Sequence, residues 1–314
     1  MRLAVVAFFL FGFAAGAAQA QTRLVVPYTP GAANDTLARL LAQRLSAASG
    51  QTFLVENRPG AGGHLGAELV ARAEPDGRTL LVSTNGLIAI GPHLYRKLPY
   101  DPQKDLAPVV RFANVPYALG ASPALPAKSV GELLALARKQ PESVYYASSG
   151  NGSVPHLCGE LINLNGQVKM VHVPYKGGAQ AMSDVVSGTV QLYCGSIPSL
   201  LGFTQSGKIR ILGVTSAQRS PLLPDVPTFQ EQGLTGVEVD SWVGLHAPAA
   251  TPRPIIDRIA AEVAKVMASD EVRQAFLSQG AEPEAIGPQD FAKATREETV
   301  RWAPVVKASG ATLD

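Results

Sequence analysis

Apolar and polar positions along this chain fall into blocks that switch between two periods, one suited to buried strands and one to amphipathic helices. Leu24-Val25-Val26 is a short apolar run closed by Pro27, and Tyr28-Thr29-Pro30-Gly31 forms a turn. Over 36–48 apolar residues then recur at three- and four-residue intervals behind Asn34 and Asp35. This reads as strand, turn and helix. Val173-Pro174-Tyr175-Lys176-Gly177-Gly178-Ala179 repeats the same grammar much later. Strands over 52–57 and 78–83, with a Pro/Gly turn at 58–63 and a helix over 64–73 between them, complete a first unit. Alternating strands and helices predict a parallel sheet with covering helices.

A Pro- and Asp-rich connector covers 94–108, and strands over 109–112 and 117–120 would cross to a second unit. Prolines cluster at 123–126, a plausible boundary, and the alternation then restarts. Helices are expected over 130–138, 156–164, 179–187 and 198–206, with strands over 144–147, 168–173, 190–194 and 210–214. The stretch 236–244, with Trp242, reads as a return strand, and 254–268, 271–280 and 288–307 read as helices. The pattern is α/β throughout, in two units with a helical tail free to return to the first.

Composition narrows the function. The chain has 314 residues, 46% hydrophobic and 17% charged, with a formal net charge of +2. That balance, without a basic block, argues against a nucleic-acid partner. Met1-Arg2, an apolar run over 3–13 and Ala18-Gln19-Ala20 form an export signal with cleavage expected after Ala20. The run is too short to span a bilayer, and Gln21, not Cys, would begin the mature chain, so no lipid anchor is called for. Cys158 and Cys194 are the only cysteines. They read as two buried small hydrophobes, with a bridge inside one unit left open because export permits it.

Two motifs dissolve on inspection. Gly60-Ala61-Gly62-Gly63-His64-Leu65-Gly66 has G-x-G-x-x-x-G spacing, and the next strand ends in Ser83-Thr84-Asn85 instead of a ribose-binding acid. A tight turn for close helix–strand packing explains it better. Gly202 to Lys208 imitates a P-loop, but Ile209 stands where Ser or Thr is required, and Gly207 reads as a helix cap. There is no G-x-S-x-G elbow, the histidines are scattered, and no metal spacing occurs. The chain is read as no enzyme and as needing no cofactor. Three strand–turn–helix units remain, at 28–36, 148–156 and 175–179. Ligands of open α/β sheets bind at the carboxyl ends of strands, and helix N-termini offer unpaired N–H groups to anions. Together they point to a binding protein for a small anion.

Several blocks carry a resemblance over essentially the whole mature chain: Val25-Val26-Pro27-Tyr28-Thr29-Pro30-Gly31, Glu56-Asn57-Arg58-Pro59-Gly60-Ala61-Gly62-Gly63, Leu98-Pro99-Tyr100-Asp101-Pro102, Ala147-Ser148-Ser149-Gly150-Asn151-Gly152 and Arg219-Ser220-Pro221-Leu222-Leu223-Pro224. In these the chain resembles the periplasmic receptors of tripartite tricarboxylate transporters, the Bug receptors. The resemblance implies a two-lobed type II periplasmic-binding-protein fold, a Venus flytrap of parallel or mixed sheets flanked by helices. Lobe one would be 21–122 plus 246–314, and lobe two 123–245.

The resemblance also implies a monomer that hands a small organic acid to integral-membrane transporter subunits. A sensor feeding a kinase, or a secreted hydrolase, are the alternatives. By position the site falls on Tyr28, Ala32, Ala33 and Asn34, extending to Thr84 and Asn85. In lobe two it falls on Ser148, Ser149, Asn151, Ser153, Val154 and His156, with Tyr175, Lys176 and Ser196 nearby. Asp35 is read as a cap for its own helix. Two departures from the family pattern stand out: His64 replaces a usual Asn, and Cys194-Gly195-Ser196 lacks a frequent Asp. The second suggests a ligand without an ammonium group.

Overall fold

A computed structural model describes residues 21–313, so the export signal and its cleavage site lie outside the described residues. Three parallel strands open the fold: β1 (Gln21–Val26), β2 (Thr52–Asn57) and β3 (Thr79–Thr84), in the order β2-β1-β3. Helices α1 (Ala33–Ser49) and α2 (His64–Ala71) make the crossovers. A parallel strand covered on both faces cannot alternate polar and apolar residues. Accordingly every residue of β3 is buried.

A π-helical turn (Gly86–Ile90) and α3 (Gly91–Leu94) follow β3, in a stretch where the sequence pattern placed no element. Next comes the strand on which both lobes hang. Instead of the two short crossing strands expected, β4 (Leu106–Ala121) is continuous over 16 residues. Its first part, Leu106 to Pro116, pairs antiparallel with β9 (Asp240–Pro248). From Tyr117 to Ala121 it pairs with β7 (Leu192–Ser196) and β8 (Arg210–Val214).

Lobe two is built on the second half of β4. Its remaining elements are α4 (Val130–Lys139), β5 (Tyr145–Ser148), α5 (Val154–Gly166), β6 (Val171–Pro174), α6 (Gly178–Ser187) and α7 (Ile197–Gln205). Strand order is β4-β7-β5-β6, with β5 parallel to both its neighbours. Of the two readings of the cysteines, the bridge is the one formed: Cys158 in α5 is bonded to Cys194 in β7.

The chain returns through β9 to α8 (Arg253–Met267) and α9 (Asp270–Ser278), then forms β10 (Glu282–Ile286). The sequence reading had no strand there. β10 pairs antiparallel with β4 around Arg111 to Asn114. Helix α10 (Pro288–Ser309) ends the fold and is shared between the lobes. Phe291, near its start, packs with Val25, Leu81 and Trp242. Trp302, Val305 and Val306 pack with Leu119, Leu157 and Leu161 of lobe two. A helix of 22 residues is about 33 Å long, enough to lie across both. No helix among the described residues is long and apolar enough to cross a membrane.

Candidate ligand-binding cleft

In lobe one the chain leaves β1 at Val26 and turns through Gly31, whose φ of +83° favours a residue without a Cβ. The N-cap of α1 is Ala32, which has no side chain able to cap. Asp35, at the third helical position, supplies the missing acceptor from inside the helix. Its Oδ2 takes the Gly31 N–H at 2.9 Å and Nε of Arg39 at 3.0 Å, and its Oδ1 takes Nδ2 of Asn57 at 2.8 Å. Burial alone would raise its pKa, but the hydrogen bonds from Arg39, Gly31 and Asn57 outweigh burial and hold the carboxyl below its ordinary value. The first intrahelical bond runs from the Thr36 N–H to Ala32 O at 3.0 Å. The N–H groups of Ala33, Asn34 and Asp35 are left without an intrahelical acceptor.

Lobe two repeats the device with different chemistry. The turn after β5 is held by Ser148, a fully buried residue. Its Oγ lies 2.6 Å from Nε2 of His172 and accepts the Gly150 N–H at 3.1 Å. Ser153 Oγ donates to Gly150 O at 2.6 Å. His156, at the third position of α5, accepts the Gly152 N–H on Nδ1 at 3.1 Å. This is the i to i+4 bond that Asp35 makes with Gly31. The first intrahelical bond runs from the Leu157 N–H to Ser153 O at 3.0 Å, and Pro155 has no N–H, so those of Val154 and His156 remain. The His156 ring stacks on His172 at 3.8 Å, and His172 on Tyr146 at 5.1 Å. Burial depresses both histidines to about 4, and for His156 the neighbouring His172 adds to it. Both rings are therefore neutral near pH 7, which keeps Nδ1 of His156 an acceptor.

The sequence-derived site residues separate into three groups. Tyr28 Oη and Thr84 Oγ1 bond each other at 2.8 Å, tying the ends of β1 and β3. Asn85 is buried; its Nδ2 donates to Asp240 O at 2.7 Å, and its Oδ1 accepts the Gly86 N–H at 2.9 Å. Tyr175 donates to Asp184 at 2.6 Å, and Ser149 bonds the Tyr193 phenol. With Ser148, Ser153 and His156, these side chains are committed to shaping the turns. The side chains of Asn34, Asn151, Lys176 and Ser196 bond no other described residue. Asn151 and Lys176 are exposed, while Asn34 and Ser196, the latter at the N-cap position of α7 but making no capping bond, are half-buried. Ala32, Ala33 and Val154 contribute backbone.

The turn of lobe two meets lobe one directly. A Cβ on Gly152 would lie 3.0 Å from the methyls of Leu94 and 3.3 Å from Leu313. His64 is a packing residue: it is buried, bonded to Tyr100 Oη at 2.9 Å, set edge-on to Tyr95, and depressed to about 4 by burial. Sequence reasoning passed over two phenols on paired strands at the crossing, Tyr117 on β4 and Tyr193 on β7. The only available signal was an aromatic residue at a strand crossing. Among the described residues no group of His, Cys, Asp or Glu side chains is arranged to hold a metal.

Comparison with known proteins finds relatives along nearly the whole chain. Rpa4515 of R. palustris, solved with adipate, is 38% identical, with a TM-score of 0.78 over 93% of this chain and 98% of that one. MatC of Rhodopseudomonas palustris, solved with bound malate, is 35% identical, with a TM-score of 0.74 over 91% and 99%. The UPF0065 protein in the tcbD-tcbE intergenic region of Pseudomonas sp. (strain P51) is 37% identical over 90% of this chain and 84% of that protein. Residues 37–311 match the profile described as tripartite tricarboxylate transporter family receptor, and the chain belongs to that family of two-lobed solute-binding receptors.

Proposed function

We propose that the protein, exported to the periplasm and cleaved after Ala20, captures a small organic acid between its lobes. It would deliver the acid, as a monomer and without chemical turnover, to integral-membrane transporter subunits. The observation that carries this reading is the pair of strand-to-helix turns, one per lobe. Each leaves helix N-terminal N–H groups unclaimed while its own side chains hold the turn rigid. Carboxylate oxygens accept such N–H groups in short, charge-assisted bonds, and the helix macrodipole favours the negative charge. The adipate and malate held by the two solved relatives are acids of this class.

In this reading Ala33 and Asn34 of α1 and Val154 and His156 of α5 provide the backbone donors. Asn34, Asn151, Lys176 and Ser196 provide adaptable side chains, and Tyr28, Thr84, Asn85, Ser148, Ser149, Ser153 and Tyr175 hold the walls. With Ser196 where an acid would partner an amine, the ligand carries no ammonium group. Thermal-shift screening against a metabolite library, followed by calorimetry, tests this. Organic acids should raise the melting temperature and aspartate and glutamate should not. Tight binding of those two amino acids alone, or consumption of any ligand, overturns the reading.

A further inference from the structure

His246 lies on β9 at 2% exposure and pairs with Leu81 of β3. Asp240, at the crossing between the lobes, is six residues and about 20 Å of strand away, so His246 belongs to the interior of lobe one and not to the cleft. Its Nδ1 stands 2.7 Å from Ser83 Oγ, which also donates to Gly244 O at 3.1 Å. A serine hydroxyl carries a single hydrogen. Both bonds form only if that hydrogen goes to Gly244 O and the imidazole Nδ1–H donates to Ser83. The tautomer fixed in this way leaves a bare lone pair on Nε2, which bonds no other described residue.

His246 lines a cavity of about 50 Å³, room for about three or four water-sized atoms. Ile88, Pro102, Leu106 and Pro108 form its apolar walls, and the exposed Gln103 and Arg296 form its outer end. Two polar groups of the lining are spent inside the protein: Thr295 Oγ1 donates to Phe291 O at 2.7 Å, and Gln103 Nε2 to Thr299 Oγ1 at 3.2 Å. Arg296 is different, because its guanidinium bonds no other described residue. The cavity thus runs from an uncommitted cation at the surface to a buried imidazole with one nitrogen unmatched.

An anion attracted by Arg296 would sit against apolar walls, which is costly unless a second charge meets it. His246 can supply that charge. A proton from solvent adds to Nε2, the Nδ1–H keeps its bond to Ser83, and the new N–H donates to the anion without any turn of the ring. Ser83 of β3, Pro108 of β4, Trp242 of β9 and Phe291 of α10 face the imidazole, and none of them is charged. Among the described residues no carboxylate lines the cavity, so an entering anion is what would stabilise the proton. Burial holds the free ring at about 3, and an adjacent negative charge raises that value.

We propose that this cavity is a binding site, distinct from the cleft, for an anion the size of formate or acetate, taken up together with one proton on His246. Since the free ring is neutral and the bound ring charged, affinity should rise about tenfold for each unit by which pH falls between 7.5 and 6.

The test is titration of the purified protein with formate at both ends of that range, read by NMR of the histidine rings, with butyrate as the oversized control. The His246 signal is assigned by its absence from H246Q. Formate should move that signal towards its protonated position, and more tightly at the lower pH. R296Q removes an exposed side chain that holds nothing in the fold, so it should keep the melting temperature and weaken the response about fivefold or more. A His246 signal unmoved by formate would mean a cavity that holds water alone, and would overturn the site. An equal response to butyrate, an affinity independent of pH, or an R296Q response within twofold of wild type would do the same. Formate that moves only His156, beside the start of α5, would place the anion in the cleft, which removes this site and supports the receptor reading.

Discussion

Removing the disulfide by the double substitution Cys158→Ala and Cys194→Ala should be costly, and the cost can be worked out in advance. The bridge closes a loop with a sequence separation of 36. The chain-entropy relation for such a loop gives about 3.8 kcal/mol at 25 °C, because the cross-link restricts the unfolded chain. Both cysteines are buried, at 0% and 2% exposure. Two absent sulfur atoms in a packed core add about 1 kcal/mol, for a total of about 4 to 5 kcal/mol. The assay is urea unfolding at pH 7 followed by tryptophan fluorescence. Trp242 and Trp302 are both buried and sit in different core clusters, so the two lobes report together. The variant should also bind ligand more weakly, since the bridge joins α5, which begins at Val154, to β7, which ends at Ser196. A loss of stability below about 1 kcal/mol would refute the account of the bridge as a structural clamp.

Three further outcomes follow from the turns. Asp35→Ala leaves the Gly31 N–H and the Asn57 amide without their acceptor and should cost about 3 kcal/mol in the same urea assay; a change under 0.5 kcal/mol would mean the capping bonds are not formed. Stability should fall as pH drops from about 6.5 towards 4, because His64, His156 and His172 are depressed to about 4 and His246 to about 3, so the unfolded chain binds protons first. Asp240, raised to about 6 chiefly by burial and then by Glu298, and Glu284, raised by burial, act in the opposite sense but are two groups against four histidines; urea midpoints constant between pH 6.5 and 4.5 would contradict the histidine burial. His156→Asp should weaken acid binding well beyond His156→Asn, since both can accept the Gly152 N–H but only Asp places a charge beside the ligand, worth about 3 kcal/mol at roughly 6 Å and an effective dielectric of about 20; equal affinities in titration calorimetry would remove α5 as the anion's seat.

The strand–helix alternation was legible because buried parallel strands and amphipathic helices differ in period and Gly/Pro turns punctuate them. What escaped was whatever depended on a distant partner. β4 read as two strands because Asn114 and Pro116 interrupt its apolar run, yet Pro116 lies at the crossing, where β9 supplies the register. β10, Glu282-Pro283-Glu284-Ala285-Ile286, carries no apolar alternation. It is held by pairing with β4 and by the ion pair of Glu284 with Arg111, at 2.6 Å. The strand-to-helix turns before α1 and α5 were visible from their residue types, but the bonds that hold them were not. Ser148 depends on His172, and Asn85 on Asp240, 155 residues away. Glu298 is a further case: it accepts Nε1 of Trp242, on β9, at 2.6 Å and of Trp302, one turn along its own helix, at 3.1 Å, so the first of these bonds ties α10 to β9.

The two turns share a geometry and differ in charge, and that difference bears on how an acid would be held. Each closes its loop with an i to i+4 bond from a glycine N–H to the third residue of the helix. In lobe one that residue is a carboxylate, kept ionised by its hydrogen bonds and by Arg39. A full negative charge already sits on the positive end of α1, so much of the dipole's attraction for an anion is satisfied within the protein. In lobe two the same place is taken by a histidine kept neutral by burial. The end of α5 therefore keeps its positive field for a solute, with no internal anion to compete. Backbone N–H groups are present at both ends, but charge favours one of them. On the proposed reading, an acid would be drawn first to α5, and lobe one would hold it by directional hydrogen bonds with little net charge of its own.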